Sequence, residues 1–213
     1  VRVEGEAGGL RERKRRATRR AILIAAIRVV RERGVDGATV DEISRVADVS
    51  PRTFFNYFPS KEDAILGDPP DLAAEQAGEF VADRGPLLAG LARVIAASVG
   101  AVSDDPEIAV LRKKIVTTHP ELGMRRMARV ERFELELTDL VRRRLLAQSP
   151  GLASDDRELT QRARLTALVA IAAMRHAWHG WIDGRGDESV PLAERIDESF
   201  ARLAELVDPS APA

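Results

Sequence analysis

The sequence predicts an all-α chain in two parts, a small N-terminal module of short helices and a larger body of long ones. Three observations carry this. Apolar residues recur at helical spacing almost throughout, with no strand-like alternation and no internal repeat. Aromatic residues are only 4% of the 213, so the core must be built mainly from Leu, Val, Ile and Ala. Gly67-Asp68-Pro69-Pro70 interrupts the pattern and sets the domain boundary, dividing 1–67 from 68–213. At 45% hydrophobic, the chain is long enough for a small module plus a body with its own core.

The elements follow in order. Residues 1–9 read as an unstructured lead-in. A helix is expected over about 10–33, with Ile22, Ala26, Val29 and Val30 as its buried stripe and Gly34 ending it. Thr39-Val40-Asp41-Glu42 has the form of a capping box, in which threonine accepts from the glutamate's amide and the glutamate reaches back. Val40, Ile43, Val46 and Ala47 are the packing face of that second helix, and Asp48-Val49 makes a turn. Ser50 caps a third helix, with Pro51 at the first position, where a missing N–H costs nothing. Val49 and Phe54 are spaced as a hydrophobic staple. Pro59 ends the helix and Ser60 caps a fourth. Beyond the boundary, helices are expected over about 71–83, 86–101, 105–118, 121–148, 155–183 and 191–207, punctuated by prolines; Pro209–Ala213 reads as a disordered tail.

Composition limits the function. There is no cysteine, which excludes disulfides and thiolate metal sites and fits a reducing cytosol. No signal peptide and no apolar run near the ~18 residues of a membrane span is seen, so the expected location is cytoplasmic, with no membrane partner. The net charge of −1 is unevenly spread. Residues 1–66 carry 14 Lys/Arg against 10 Asp/Glu, a net +4, and the rest carry 19 against 24, a net −5. Seven basic residues and one acid fall within Arg11–Arg20. A basic front on an acidic body is the footprint of a phosphate binder.

Two short capped helices joined by a tight turn form a helix-turn-helix, whose second helix fits the major groove of double-stranded DNA. Arg52, Thr53 and Asn56 sit near its start: arginine forks onto guanine, asparagine onto adenine, and the threonine methyl meets thymine. Thr39, Ser50, Pro51 and Lys61 stand at or beside helix N-termini, which favour phosphate. Tyr57 offers a phenolic hydrogen bond, and Arg15, Arg16 and Arg19 offer phosphate contacts or a minor-groove arm. Phe54 and Phe58 are better read as core than as contacts.

With Gly34, Thr39-Val40, Ile43, Ala47, Val49-Ser50, Thr53, Phe55, Tyr57, Phe58 and Lys61 in place, the segment over about 18–66 resembles the TetR family of bacterial transcription regulators. The resemblance implies a homodimeric, mostly repressing, ligand-responsive DNA-binding protein. It implies too that the helix from Ser50 reads bases while Tyr57 and Lys61 hold phosphates. Phe55 stands where tyrosine is common, and Ala64 where leucine is usual. Residues 111–122, with the arginine-rich helix after them, resemble an actinobacterial branch that responds to fatty acyl-CoA-type ligands.

In the body, Ala163, Ala167, Ala170, Met174 and Ala177 form a small-residue stripe, and Leu192, Ile196, Phe200, Leu203 and Val207 an apolar one. Both read as the dimer surface, with internal core as the alternative. A small-molecule effector pocket would draw on Leu111, Arg112, Ile115, His119, Met127, Phe133 and Trp178, for each of which ordinary packing competes. His176 and His179 share a helix face, but no acid or cysteine accompanies them at metal-binding spacing, so neither metal nor other cofactor is expected. No His-Glu-x-x-His, phosphate-cradling glycine loop or Gly-x-Ser-x-Gly points to an enzyme. The expected function is a one-component repressor that binds a palindromic operator and is released by an apolar or amphipathic ligand. The alternative is an architectural DNA-binding dimer that ignores ligands.

Overall fold

The computed structural model describes residues 4–100, 106–149, 157–182 and 190–207. Among them the chain forms helices and no strand. The helices are α1 (Glu4–Gly37), α2 (Val40–Val46), α3 (Pro51–Tyr57), α4 (Lys61–Leu66), α5 (Ala74–Ala82), α6 (Leu87–Gly100), α7 (Pro106–Thr118), α8 (Pro120–Gln148), α9 (Arg157–Ile182) and α10 (Leu192–Val207). Each was expected from the sequence to within a few residues, except at the start of α1. Residues 4–9, expected to lack structure, are helical. Once the buried stretch further along has nucleated a helix, each added residue needs only one more hydrogen bond to extend it. The tail 208–213 lies outside the described residues.

Contacts group the chain into two compact units, Val1–Asp68 with Glu107–Gly123, and Pro69–Pro106 with Met124–Ala213. In the first, α1 packs on α2 and α4, and α2 on α3. Ile22, Ala26, Val29 and Val30 are buried as the periodicity predicts. Gly34 breaks the helix with φ 73°, a conformation only glycine adopts cheaply. Phe54 and Phe58 lie in the same core. Ile108, Ile115 and Val116 of α7 and Leu122 of α8 join it too. This assigns α7, which the sequence reading had placed with the body, to the first unit's core.

Arg112 of α7 is the polar latch in that packing. Expected as a candidate effector-pocket residue, it is buried and donates from Nε to the Ile65 carbonyl at 3.0 Å. Its guanidinium lies over Gly67, where a Cβ would stand 3.0 Å from Cζ and where φ is +77°. Glycine is therefore required there twice, by backbone conformation and by close approach.

In the second unit α10 packs on α6 and α9, α6 on α9, and α5 on α6. Ala163, Ala167, Ala170, Ala177, Ile196 and Phe200 are buried within this single chain, and Met174 and Leu203 are half-buried. The proposed dimer stripes are thus internal: small side chains on α9 let neighbouring helices of the same protomer approach closely. A residue already buried in one copy offers no surface to a second. Leu165, 64% exposed, and Leu168 are the large apolar residues that α9 leaves outside.

Arg144 is fully buried here. Its Nη2 donates to the Gly85 carbonyl at 2.6 Å, and its guanidinium lies 4.5 Å from the Phe80 ring centroid. Desolvation pulls its pKa down, opposed by Asp83. Asp83 itself is held below the usual carboxylate range, chiefly by accepting from the Gly85 amide.

Candidate nucleic-acid interface

The short helices are locked at their starts by side chains. Thr39 accepts from the Glu42 amide at 3.3 Å. The glutamate does not complete a capping box; its carboxylate takes Arg33 at 2.7 Å and Arg45 at 3.2 Å instead. Asp48 turns the chain with φ 54°. Ser50 then accepts from the Thr53 amide at 3.0 Å and meets the Thr53 hydroxyl at 2.8 Å. Thr53 is half-buried, and with its hydroxyl engaged by the cap its methyl is what remains for an apolar contact. Pro51 occupies the first helical position.

Phe54 fills the inner face of α3, and Phe58, the residue that caps the helix, is buried with it. The outer face therefore carries Arg52, Phe55 and Asn56, all exposed. Phe55 was not among the residues expected to read DNA. It is 56% exposed, with its ring set edge-on to Phe54 at 5.5 Å. The signal was present in the spacing: if 54 and 58 share the core face, 55 cannot.

Two expected phosphate ligands are otherwise engaged. Arg19 donates from Nη1 to the Tyr57 carbonyl at 2.7 Å and from Nε to Asp68 at 2.7 Å, its Nη2 also meets Asp68, and its Cζ lies 4.2 Å from the Phe58 ring centroid. It binds α1 to the end of α3 rather than facing solvent. Lys61 donates to the carbonyls of Val35 and Ala38, each at 2.9 Å, closing the turn between α1 and α2. A lysine so placed satisfies carbonyls left over at a helix end, which lowers its availability to phosphate. Tyr57 is half-buried against the core. Arg15 and Arg16 are exposed, and they sit on the helix α1 instead of an extended arm.

The expected effector residues fall in different units. Leu111, Arg112, Ile115 and His119 belong to the first, where Ile115 is core and His119 Nδ1 bonds the Ile115 carbonyl at 2.8 Å. Met127, Phe133 and Trp178 belong to the second. Phe133 is buried core, Met127 is 54% exposed, and Trp178 packs against Trp181 at 5.5 Å between centroids, the rings tilted by 45°. His176 meets the Ser199 hydroxyl at 2.8 Å. Among the described residues no three His, Cys, Asp or Glu converge as a metal site, and no helix is long and apolar enough to cross a membrane.

Comparison with known proteins fixes what this geometry belongs to. The sequence profile described as bacterial regulatory proteins, tetR family, matches residues 22–65, which covers α2, α3 and most of α4. The HTH-type transcriptional regulator TcmR of Streptomyces glaucescens is 33% identical over 158 residues, 70% of this chain and 67% of that protein. The chain belongs to the TetR family. As a TetR-family member it is a DNA-binding transcription regulator with an N-terminal helix-turn-helix and a helical C-terminal part. Among solved TetR-family structures, Thermus thermophilus FadR, a repressor in complex with lauroyl-CoA, is 23% identical with a TM-score of 0.43, over 92% of this chain and 96% of that one. A regulator from Rhodococcus sp. is 20% identical with a TM-score of 0.47, over 90% and 98%.

Proposed function

We propose that this regulator is a cytoplasmic, non-enzymatic repressor that grips a palindromic operator as a homodimer and releases it when a small amphipathic ligand binds. Residues 1–67, with α7 packed into their core, act as the reading domain, and the remainder of 68–213 as the effector and dimerisation domain. The observation that carries the reading is the outer face of α3. Arg52 and Asn56 are exposed there beside Phe55, on a helix anchored by buried Phe54 on its other face and by buried Phe58 at its C-cap. Arginine and asparagine are the side chains that fork onto guanine and adenine, and an apolar ring suits a thymine methyl. Arg15 and Arg16 add phosphate contacts, while Thr39, Ser50 and Pro51 set the start of each short helix against the backbone.

For the second copy we assign the outer face of α9, where Leu165 and Leu168 are exposed one turn apart on the side opposite the buried alanines. Two reading heads then engage half-sites about one helical turn apart, ~34–36 Å. Signal passes through α7, which is latched to α4 by Arg112 and leads directly into α8. Ligand binding shifts the dimer toward a state whose heads no longer match the half-sites. The resemblance of 111–122 to the acyl-CoA-responsive branch makes a fatty acyl-CoA the first effector to test.

A gel shift with DNA from upstream of the gene, at ~150 mM salt where nonspecific binding is weak, tests the reading. A sequence-selective shift is expected, and Arg52→Ala should lose about 1–3 kcal/mol of preference at one base pair. No selective shift with any upstream fragment, or an Arg52→Ala protein with unchanged preference, would sink it.

A further inference from the structure

The second unit holds an arrangement of cations that its own folding does not account for. Arg126 of α8 is half-buried, with its Cζ 5.9 Å from the ring centroid of Trp178 on α9. Arg175, one turn before Trp178 on the same helix face, is its electrostatic neighbour. Among the described residues neither arginine is paired with an acid. Several other arginines of this unit do find one: Arg164 meets Glu134 at 3.4 Å, Arg93 meets Asp83 at 2.6 Å, and Arg143 meets Asp139 at 3.0 Å. Burial pulls the Arg126 pKa down, and the charge of Arg175 pulls it further, so both effects oppose keeping this cation here.

The third feature is the indole that Arg126 covers. Trp178 Nε1 is buried and has no hydrogen-bond partner. A buried, unpaired donor costs roughly 1–3 kcal/mol, and such a group in a native protein calls for an explanation. Trp178 lies against Trp181, which is itself buried, with the rings tilted by 45°, so an apolar aromatic pair adjoins the Arg126 guanidinium. Two like charges without a counterion, a stranded N–H and an aromatic wall all lack the same thing, an anion attached to an apolar body.

We propose that Arg126, Arg175 and Trp178 form a subsite for the anionic head of a small organic amphiphile, a carboxylate, sulfonate or phosphate carrying an apolar group that lies against Trp178 and Trp181. The head group bridges the two guanidinium groups, relieves their repulsion and accepts from the donors left over. Such charge-assisted bonds are about twice as strong as neutral ones and strengthen further where water is thin. The inference deepens the proposed effector response and rests on it only for the consequence at DNA; the subsite itself stands on the geometry of the second unit.

The test uses the full-length protein and two dyes of nearly the same shape, 8-anilinonaphthalene-1-sulfonate, which carries the anion, and N-phenyl-1-naphthylamine, which lacks it. The chain has only two tryptophans, Trp178 and Trp181, so energy transfer from tryptophan favours dye bound near them, and the arginine variants tie the signal to this subsite. The sulfonate should bind with tryptophan-sensitised emission, and the neutral dye about tenfold or more weakly, the loss of a charge-assisted pair. Arg126→Gln and Arg175→Gln should each weaken the sulfonate by about tenfold and leave the neutral dye unchanged, while Arg126→Lys retains most of the affinity. Without dye, Arg126→Gln should melt at or above the wild-type temperature, because it removes a desolvated and repelled charge; a purely structural arginine would lower it.

Equal affinity for the two dyes, or glutamine variants that bind the sulfonate as wild type does, would overturn the subsite. Gel shifts with the same variants, run without dye, separate the two readings. Wild type and variants should bind the operator alike. A missing shift in all of them would defeat the regulator mechanism, while the dye result decides the subsite independently.

Discussion

Two arginines, one in each unit, lie over phenylalanine rings at nearly the same distance, 4.2 Å for Arg19 on Phe58 and 4.5 Å for Arg144 on Phe80. Around them the units differ. Arg19 has all three of its nitrogens engaged, two by Asp68 and one by the Tyr57 carbonyl. Arg144 is more deeply buried yet bonds only the Gly85 carbonyl, with Asp83 at 3.6 Å and Nε and Nη1 unpartnered. The same contrast runs through the rest of the molecule. In the reading unit caps, turns and the α7 latch engage the polar groups described above, and among the described residues Ser44 Oγ is its one buried side-chain atom without a partner. In the second unit Trp178 Nε1, Thr138 Oγ1 and two donors of Arg144 are buried without partners, and Arg126 faces a like charge. A buried group left unsatisfied costs more than a made bond returns, so the second unit has the less settled interior.

The largest expected effect tests whether the head is one rigid piece. Phe54→Ala removes a ring with no exposed surface and should cost about 3–5 kcal/mol in urea denaturation. Operator binding should be lost with it. Intact binding by a destabilised variant would mean that α3 does not depend on this core for its position.

A smaller effect addresses the two arginines directly. Arg19→Met strands the half-exposed Asp68 and breaks three bonds, and should lower stability by about 1–2 kcal/mol. Arg144→Met keeps the contact with Phe80 and leaves Asp83 with Arg93 and the Gly85 amide, so its cost should stay within about 1 kcal/mol of zero. Thermal melts of the two variants in the opposite order would break the comparison. The smallest effect is that of Arg45→Ala. Arg45 is 72% exposed and Glu42 keeps Arg33, so less than about 0.5 kcal/mol should be lost. A larger loss in a denaturant melt would show the pair to be more than a surface contact.

Much of the candidate interface was legible in the sequence because its determinants are local. Thr39, Ser50 and Ser60 cap helices by bonds that span three residues, and Phe54 with Phe58 announces the inner face of α3 within one turn. The helix residues of the body were legible for the same reason. What stayed hidden depends on partners distant along the chain. Arg19 finds Asp68 forty-nine positions away, Lys61 finds Val35 and Ala38 across more than twenty, and Arg112 finds Ile65 across forty-seven. From sequence Arg19 and Lys61 are basic residues in a basic module and Arg112 is an effector candidate in the body, and a charge reads as a ligand for an anion until its actual partner is known.

The alanine stripe of α9 illustrates the same limit for apolar residues. Periodicity shows that Ala163, Ala167 and Ala170 face one way, but the same small face serves a helix of its own chain or of another copy equally well. Sequence by itself determined the helices, their caps, the face of α3 that meets solvent and the family to which the chain belongs, since all of these are encoded in residues a turn or two apart. Only the tertiary structure decided which stripe is already filled, which arginines are already paired and which pair of cations is left facing no acid. Those outcomes are settled by which surfaces meet, and burial and pairing are properties of the packed chain rather than of any segment in it.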